Sequence, residues 1–240
     1  MAIRAGGALL FGFLFLACGP QGTGSAGKRQ AGPIRPAKTE DGVALAIVFD
    51  TSGSMSESVP TGRGGLAAKV RIASDALLAI ADRIEAWRSE APGDPHRKIA
   101  ATVVTFREGE GLPMAPFAVE ELKGWVKRLR RPEGPTPLGA ALRDAGTAVL
   151  SSPLTSKHIL VITDGQNTHP PEPAEVMDSL LDVAKSFEAE VSVHFVAFDI
   201  DAAVFAAVKE RGATVVSAAD AEQLNQKLSI ILTEEILLEK

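Results

Sequence analysis

The sequence predicts a doubly wound α/β domain: a mostly parallel sheet with helices on both faces and one short antiparallel edge strand. Three observations carry that reading. Apolar runs at 43–49, 99–106, 157–163, 191–198 and 212–216 are short, the pattern of strands buried on both faces. Segments with apolar residues at helical spacing separate them, with connections long enough for right-handed crossovers. Tyr is absent and aromatics make up only 5% of the chain, so Ala, Val, Leu and Ile must fill most of the core.

Residues 1–18 are expected to stand apart from that fold. Arg4 gives a weakly positive start, and 5–15 is apolar but only about half of the ~20 residues a membrane span needs. The stretch ends Phe15-Leu16-Ala17-Cys18, and Cys18 is the only cysteine in the chain. It resembles a bacterial lipoprotein signal, which implies cleavage before Cys18 and lipidation of that residue. An ordinary secretory signal is the alternative. Without a second cysteine no internal disulfide can form. Residues 19–42 are rich in Gly, Pro and small polar residues and read as a flexible tether, on the order of 25–30 Å end to end. The globular domain is then 43–240.

The run 43–49 stops at Asp50, and Ser52 and Ser54 follow with Gly53 between them. One carboxylate and two hydroxyls on a tight turn put hard oxygens in one small volume, at the strand end where open α/β sheets bind ligands. Such donors suit Mg²⁺, Mn²⁺ or Ca²⁺ better than zinc or copper. Gly62, Gly64 and Gly65 lie some ten residues past that strand, too far for a dinucleotide fingerprint, and no phosphate-loop Gly-Lys-Ser/Thr is present. Residues 66–88 form an amphipathic helix with Val70, Ala73, Leu77, Ile80, Ala81 and Ile84 inward, Trp87 in or beside the core, and Lys69, Arg71, Asp75, Asp82, Arg83 and Glu85 largely on the other faces. The strand at 99–106 follows, and 112–119 returns as an antiparallel edge strand, the place where Pro113 and Pro116 are tolerated.

Residues 120–130 form a helix, and Lys123, Lys127, Arg128, Arg130 and Arg131 make a local basic patch, read as a solvated face with an anionic binding surface as the alternative. Thr136 sits between Pro135 and Pro137, before a helix at 138–150. It either caps that helix or is a hydroxyl aimed at something else. The strand at 157–163 ends at Asp164-Gly165, matching Asp50 at the first strand's end. A helix at 174–189 and a strand at 191–198 follow, the latter ending at Asp199, read as a loop or cap residue with a place in the site as the alternative. A helix at 202–211, a strand at 212–216, and a final helix from 221 to about 238 capped by Asp220 complete the chain.

The formal charge of −5 and pI near 5.5 argue against nucleic acid, and so few aromatics leave no stacking platform for single strands. Enzyme chemistry lacks its parts. A haloacid-dehalogenase-type phosphatase needs a second acid where Ser52 stands, and no Gly-x-Ser-x-Gly elbow surrounds Ser52 or Ser54. His96, His158, His169 and His194 show no paired spacing and read as structural or solvated.

Asp50-x-Ser52-x-Ser54, Thr136 in a Gly-Pro-Thr-Pro-Leu turn, and Asp164-Gly165 after an apolar strand together resemble a von Willebrand factor type A domain with its metal-ion-dependent adhesion site. The resemblance spans about 43–238. It implies a protein-binding module that depends on Mg²⁺ or Mn²⁺, with Ca²⁺ behind them, and not an enzyme. It also implies that Ser52, Ser54 and Thr136 touch the ion while Asp50 and Asp164 act mostly through water or hydrogen bonds. A Glu or Asp carboxylate of a partner protein would complete the shell. With Cys18 lipidated, the expectation is an envelope protein anchored to a membrane, periplasmic or on the outer surface; a secreted protein is the alternative. A metal-independent scaffold of the same fold, or a hydrolase, are the rival functions.

Overall fold

A computed structural model describes residues 39–61 and 64–237. The signal and lipidation expectations, Cys18 included, and most of the tether lie outside the described residues. In chain order the elements are β1 (Glu40–Phe49), β2 (Ser58–Pro60), β3 (Leu66–Ala68), α1 (Lys69–Glu90), β4 (Ile99–Thr105), β5 (Leu112–Pro116) and α2 (Val119–Arg128). Then come α3 (Leu138–Ser151), β6 (Leu154–Thr163), α4 (Pro173–Ser186), β7 (Ser192–Phe198), α5 (Ala206–Lys209), β8 (Thr214–Ala218) and α6 (Ala221–Ile230).

Six strands form one sheet in the order β5-β4-β1-β6-β7-β8. Only β5 runs antiparallel, at the edge, where the missing amides of Pro113 and Pro116 cost least. The expected fold class is therefore what the chain adopts. β1 lies between β4 and β6, parallel to both, so the chain winds away from it in both directions. That reversal opens the crevice in which such sheets place ligands.

The alternation within β1 sets the two layers. Val43, Leu45, Ile47 and Phe49 point to the face covered by α1, α2 and α6. Ala44, Ala46 and Val48 point to the face covered by α3 and α4. On the second face β1 offers small residues, Ala44 and Ala46, and α3 answers with buried Gly139, Ala141, Ala145 and Gly146. On the first face Phe49 meets Trp125 edge-on, with ring centroids 5.5 Å apart, and such a buried pair adds about 1 kcal/mol to its area burial.

Several boundaries differ from the sequence reading. The helix expected from residue 66 starts at Lys69, because Leu66–Ala68 pairs with Ser58–Pro60 in a small hairpin. Gly64 and Gly65, at φ +84° and +109°, make its turn, a left-handed conformation that glycine adopts without strain. Local helical spacing at Leu66 thus yields to a tertiary pairing. β1 and β6 each extend three residues ahead of their apolar runs. The expected helix at 202–211 is a 3₁₀ turn followed by the short α5. Asp220 caps α6 as expected, accepting from the Gln223 N–H at 2.8 Å.

Candidate metal centre

Asp50 is the first residue past β1 and Asp164 the first past β6. Phe49 stands opposite Ile162 in a parallel pair, so both carboxylates leave the sheet on the same rim. One oxygen of the fully buried Asp50 accepts the Ser52 backbone N–H at 2.7 Å, and the other accepts the Thr163 hydroxyl at 2.6 Å. The first bond closes an Asx turn, which reverses the chain and lets Gly53–Ser56 coil into one 3₁₀ turn. That turn brings the hydroxyls of Ser52 and Ser54 to 3.1 Å from each other. Ser54 then donates to Asp164 Oδ1 at 2.7 Å, joining the first loop to the third.

The second loop is pinned from both sides. Gly53 N–H donates to the Gly134 carbonyl at 3.1 Å, and Glu133 N–H to the Thr51 carbonyl at 3.0 Å. Thr168 N–H donates to the Thr136 carbonyl at 2.9 Å, and its hydroxyl accepts the Thr136 N–H at 2.9 Å. Thr136 does not cap α3. Its neighbour Pro137 occupies that position without a side-chain bond, and Asn167 Oδ1 accepts the Gly139 N–H at 3.2 Å instead. A Cβ on Gly139 would lie 1.9 Å from the Pro171 carbonyl oxygen, so only glycine lets the third loop rest on the start of α3. A Cβ on Gly165 would lie 3.3 Å from Thr136 Oγ1 and 3.9 Å from Ser54 Oγ. The bare glycine keeps the space between those two hydroxyls open.

All five predicted positions, Asp50, Ser52, Ser54, Thr136 and Asp164, therefore meet in one crevice. The donor set fits a hard divalent cation. It offers three hydroxyls and two carboxylates, oxygens alone; among the described residues no group of three or more His, Cys, Asp or Glu is placed to hold a metal ion. Asp50 carries a further sign. Burial pushes its carboxyl above the usual range, against the hydrogen bonds from Ser52 and Thr163, and the nearby charge of Asp164 pushes the same way. Among the described residues no cation pairs with it, so a positive charge beside it would relieve that burial.

The structure adds further residues to the centre, and it corrects the placing of Lys69 on a polar outer face of its helix. Lys69, at the first position of α1, is 4% exposed. Its ammonium lies 3.0 Å from Asp164 Oδ2, 2.9 Å from Asp199 Oδ2 and 3.1 Å from Glu57 Oε2. Burial alone would push this lysine down, but the bonds to Asp199, Asp164 and Glu57 win and hold it above the ordinary lysine range. Asp199, neither a cap nor an idle loop residue, reaches Lys69 from a left-handed backbone at φ +55°, which Asp tolerates better than most residues. One signal in the sequence could have found Lys69. A cation in the first turn of a helix is disfavoured by the helix dipole, so a lysine there calls for acidic partners. Thr163, Asn167 and Thr168 are hydroxyl and amide residues beside the motif, with nothing in their spacing to mark their bonds.

Open α/β sheets place their ligands at such a switch point, and here it gathers hydroxyls and carboxylates from three loops. Residues 96–214 match the family model described as von Willebrand factor type A domain, and the fold is of that type. The match takes in Thr136 and Asp164, whereas Asp50, Ser52 and Ser54 precede it. No curated protein sequence matches the chain. Among solved structures, PilB minor pilin from Streptococcus sanguinis aligns with a TM-score of 0.61 at 17% identity, over 82% of this chain and 62% of that one. The vWF domain of the type V pili tip protein Mfa5 from Porphyromonas gingivalis aligns at 0.57 and 12% identity, over 81% and 95%. Proximal thread matrix protein 1 from the mussel byssus, in a structure with a zinc-occupied MIDAS motif, aligns at 0.55 and 14% identity, over 81% and 48%. At these identities the likeness is one of fold. The chain spans less than two thirds of the pilin and about half of the thread matrix protein.

Proposed function

We propose that the domain is a divalent-cation-dependent protein-binding module and not an enzyme. The observation that carries this is the meeting of Asp50, Ser52, Ser54, Thr136 and Asp164 at the sheet's switch point, joined by the 2.7 Å bond from Ser54 to Asp164. A bound Mg²⁺ or Mn²⁺ would supply an electrophilic centre able to take one more oxygen from outside the chain. Ser52, Ser54 and Thr136 would hold the ion through neutral oxygens, which leaves it short of negative charge. Asp50 and Asp164 would orient those hydroxyls from behind, as the hydrogen bonds from the Ser52 amide and the Ser54 hydroxyl already do. A Glu or Asp carboxylate of a partner protein suits the remaining position. Domains of this fold commonly serve adhesion, and the zinc-occupied motif of the thread matrix protein supports a divalent ion at such a site.

The leader ending at Cys18 supports an exported, lipid-anchored protein of the cell envelope, held to its membrane by the acylated cysteine. No helix among the described residues is long and apolar enough to cross a membrane. One observation favours the rival, metal-independent scaffold: Lys69 already offers Asp164 a cation. The test is capture of envelope proteins by the immobilised full chain in Mg²⁺ and in EDTA. Proteins captured in Mg²⁺, lost in EDTA and lost with Thr136→Ala are the expected result. Equal capture under all three conditions would leave the scaffold. Separately, Cys18→Ser should move the protein out of the membrane fraction, and an unchanged fraction would refute the anchor.

A further inference from the structure

Lys69 holds no ion and takes no ligand in the metal-binding module, yet it stands inside the centre. Its side chain is 5% exposed, and its ammonium touches three carboxylates from three different segments. Asp164 is divided between two donors: Oδ1 takes the Ser54 hydroxyl and Oδ2 takes Lys69. The carboxylate that braces the hydroxyl turn is thus also the one that meets the built-in cation.

The balance of buried charge follows. Asp50 and Asp164 are buried carboxylates and Lys69 a buried ammonium, which leaves one negative charge in the crevice. Glu57 and Asp199 also face Lys69, but their side chains are 67% and 40% exposed, so water and salt screen them. A divalent ion added to the buried set leaves one positive charge in surplus. With a neutral side chain at position 69, the same ion would be balanced by Asp50 and Asp164 alone.

We propose that Lys69 is a tethered counter-cation: it braces the metal-free centre by holding Asp164, weakens the centre's intrinsic hold on a divalent ion, and leaves the loaded centre with a charge that an incoming carboxylate cancels. This rests on the metal-binding reading and deepens it. Ion and partner then bind cooperatively, each raising the affinity for the other, because neither alone neutralises the crevice. Lys69 is a positioning residue here, acting on the ion through Asp164 and through its charge.

The experiment is a calorimetric titration of Mn²⁺ into the full chain as wild type, Lys69→Met and Lys69→Arg, with thermal unfolding of each metal-free protein. Lys69→Met is expected to bind Mn²⁺ about tenfold more tightly, and Lys69→Arg, which keeps the charge, to stay within about threefold of wild type. Metal-free Lys69→Met should unfold at a lower temperature, so Mn²⁺ raises its midpoint by more than it raises that of the wild type. The inference is overturned if wild type binds Mn²⁺ while Lys69→Met binds equally or more weakly, or if Lys69→Arg tightens binding as Lys69→Met does. Should wild type take up no Mn²⁺, the metal reading falls and the inference with it. If Lys69→Met does not fold, Lys69→Gln, which keeps a polar side chain at the buried position without its charge, takes its place. It should likewise bind Mn²⁺ more tightly than wild type, and equal or weaker binding would contradict the proposal.

Discussion

β6 carries buried polar groups at both ends, and the two ends treat charge in opposite ways. At its carboxyl end Asp164 faces Lys69 across 3.0 Å, and carboxylates keep that lysine charged. At its amino end Lys157, also buried, donates to the carbonyls of Val149, Ser152 and Leu154 at 3.1, 2.9 and 2.8 Å. Carbonyl dipoles solvate an ammonium but carry no net charge, so burial dominates and lowers Lys157. Beside it, His158 stacks on His194 with ring centroids 5.7 Å apart, and burial, helped by the charge of His194, pushes His158 down to about 4. Two of the three carbonyls close the end of α3, where a cation suits the helix dipole, so Lys157 is a helix cap. A buried lysine is therefore informative through its partners. Facing carboxylates it shares in the charge of a crevice, and facing carbonyls it finishes a helix.

That contrast can be broken most sharply by removing each lysine. Lys69→Met leaves Asp164 buried without a cation and should cost about 3 kcal/mol of metal-free stability. Lys157→Met loses three ammonium-to-carbonyl hydrogen bonds but also removes a buried charge, so the net cost should be only about 1 kcal/mol, with divalent-ion affinity unchanged. Urea unfolding of both variants checks this, and equal losses would dissolve the distinction.

Acid probes the amino end through His158. Burial holds folded His158 down to about 4 against 6.5 when unfolded, so between those values the unfolded chain binds more protons and stability falls as the pH is lowered. The loss from pH 7 to pH 4 attributable to this group is on the order of 3 kcal/mol, and His158→Gln should remove most of it. An undiminished loss in the variant would assign the acid sensitivity elsewhere. The smallest effect is at the opposite rim. Gly165→Ala brings a methyl to 3.3 Å from Thr136 Oγ1, and Mn²⁺ affinity should fall by about threefold while stability barely changes.

The fold class was legible because buried parallel strands are written as short apolar runs, and 43–49 and 157–163 are plain examples. The five candidate ligands were legible because hydroxyls and acids at strand ends stand out against such runs. What stayed hidden was set by contacts distant in sequence. Leu66–Ala68 has helical spacing, but its pairing with Ser58–Pro60 depends on where the intervening glycines turn. Lys69 and Asp164 are 95 positions apart, and nothing local links them. His158 and His194 look unrelated in the chain, yet β6 and β7 place them as near neighbours, with His158 paired to Ser192 and His194 to Leu160. Thr136 read equally well as a cap, and only Asn167 taking the Gly139 amide resolved its role.

The measurement that bears most directly on the central claim is a calorimetric titration of Mg²⁺ into the wild-type chain and into Asp50→Ala. Saturable binding by the wild type, weakened about 100-fold in Asp50→Ala, is the predicted result. Isotherms that are the same for both proteins, whether flat or saturable, would contradict it, because the oxygens gathered around Asp50 would then not be what holds the ion.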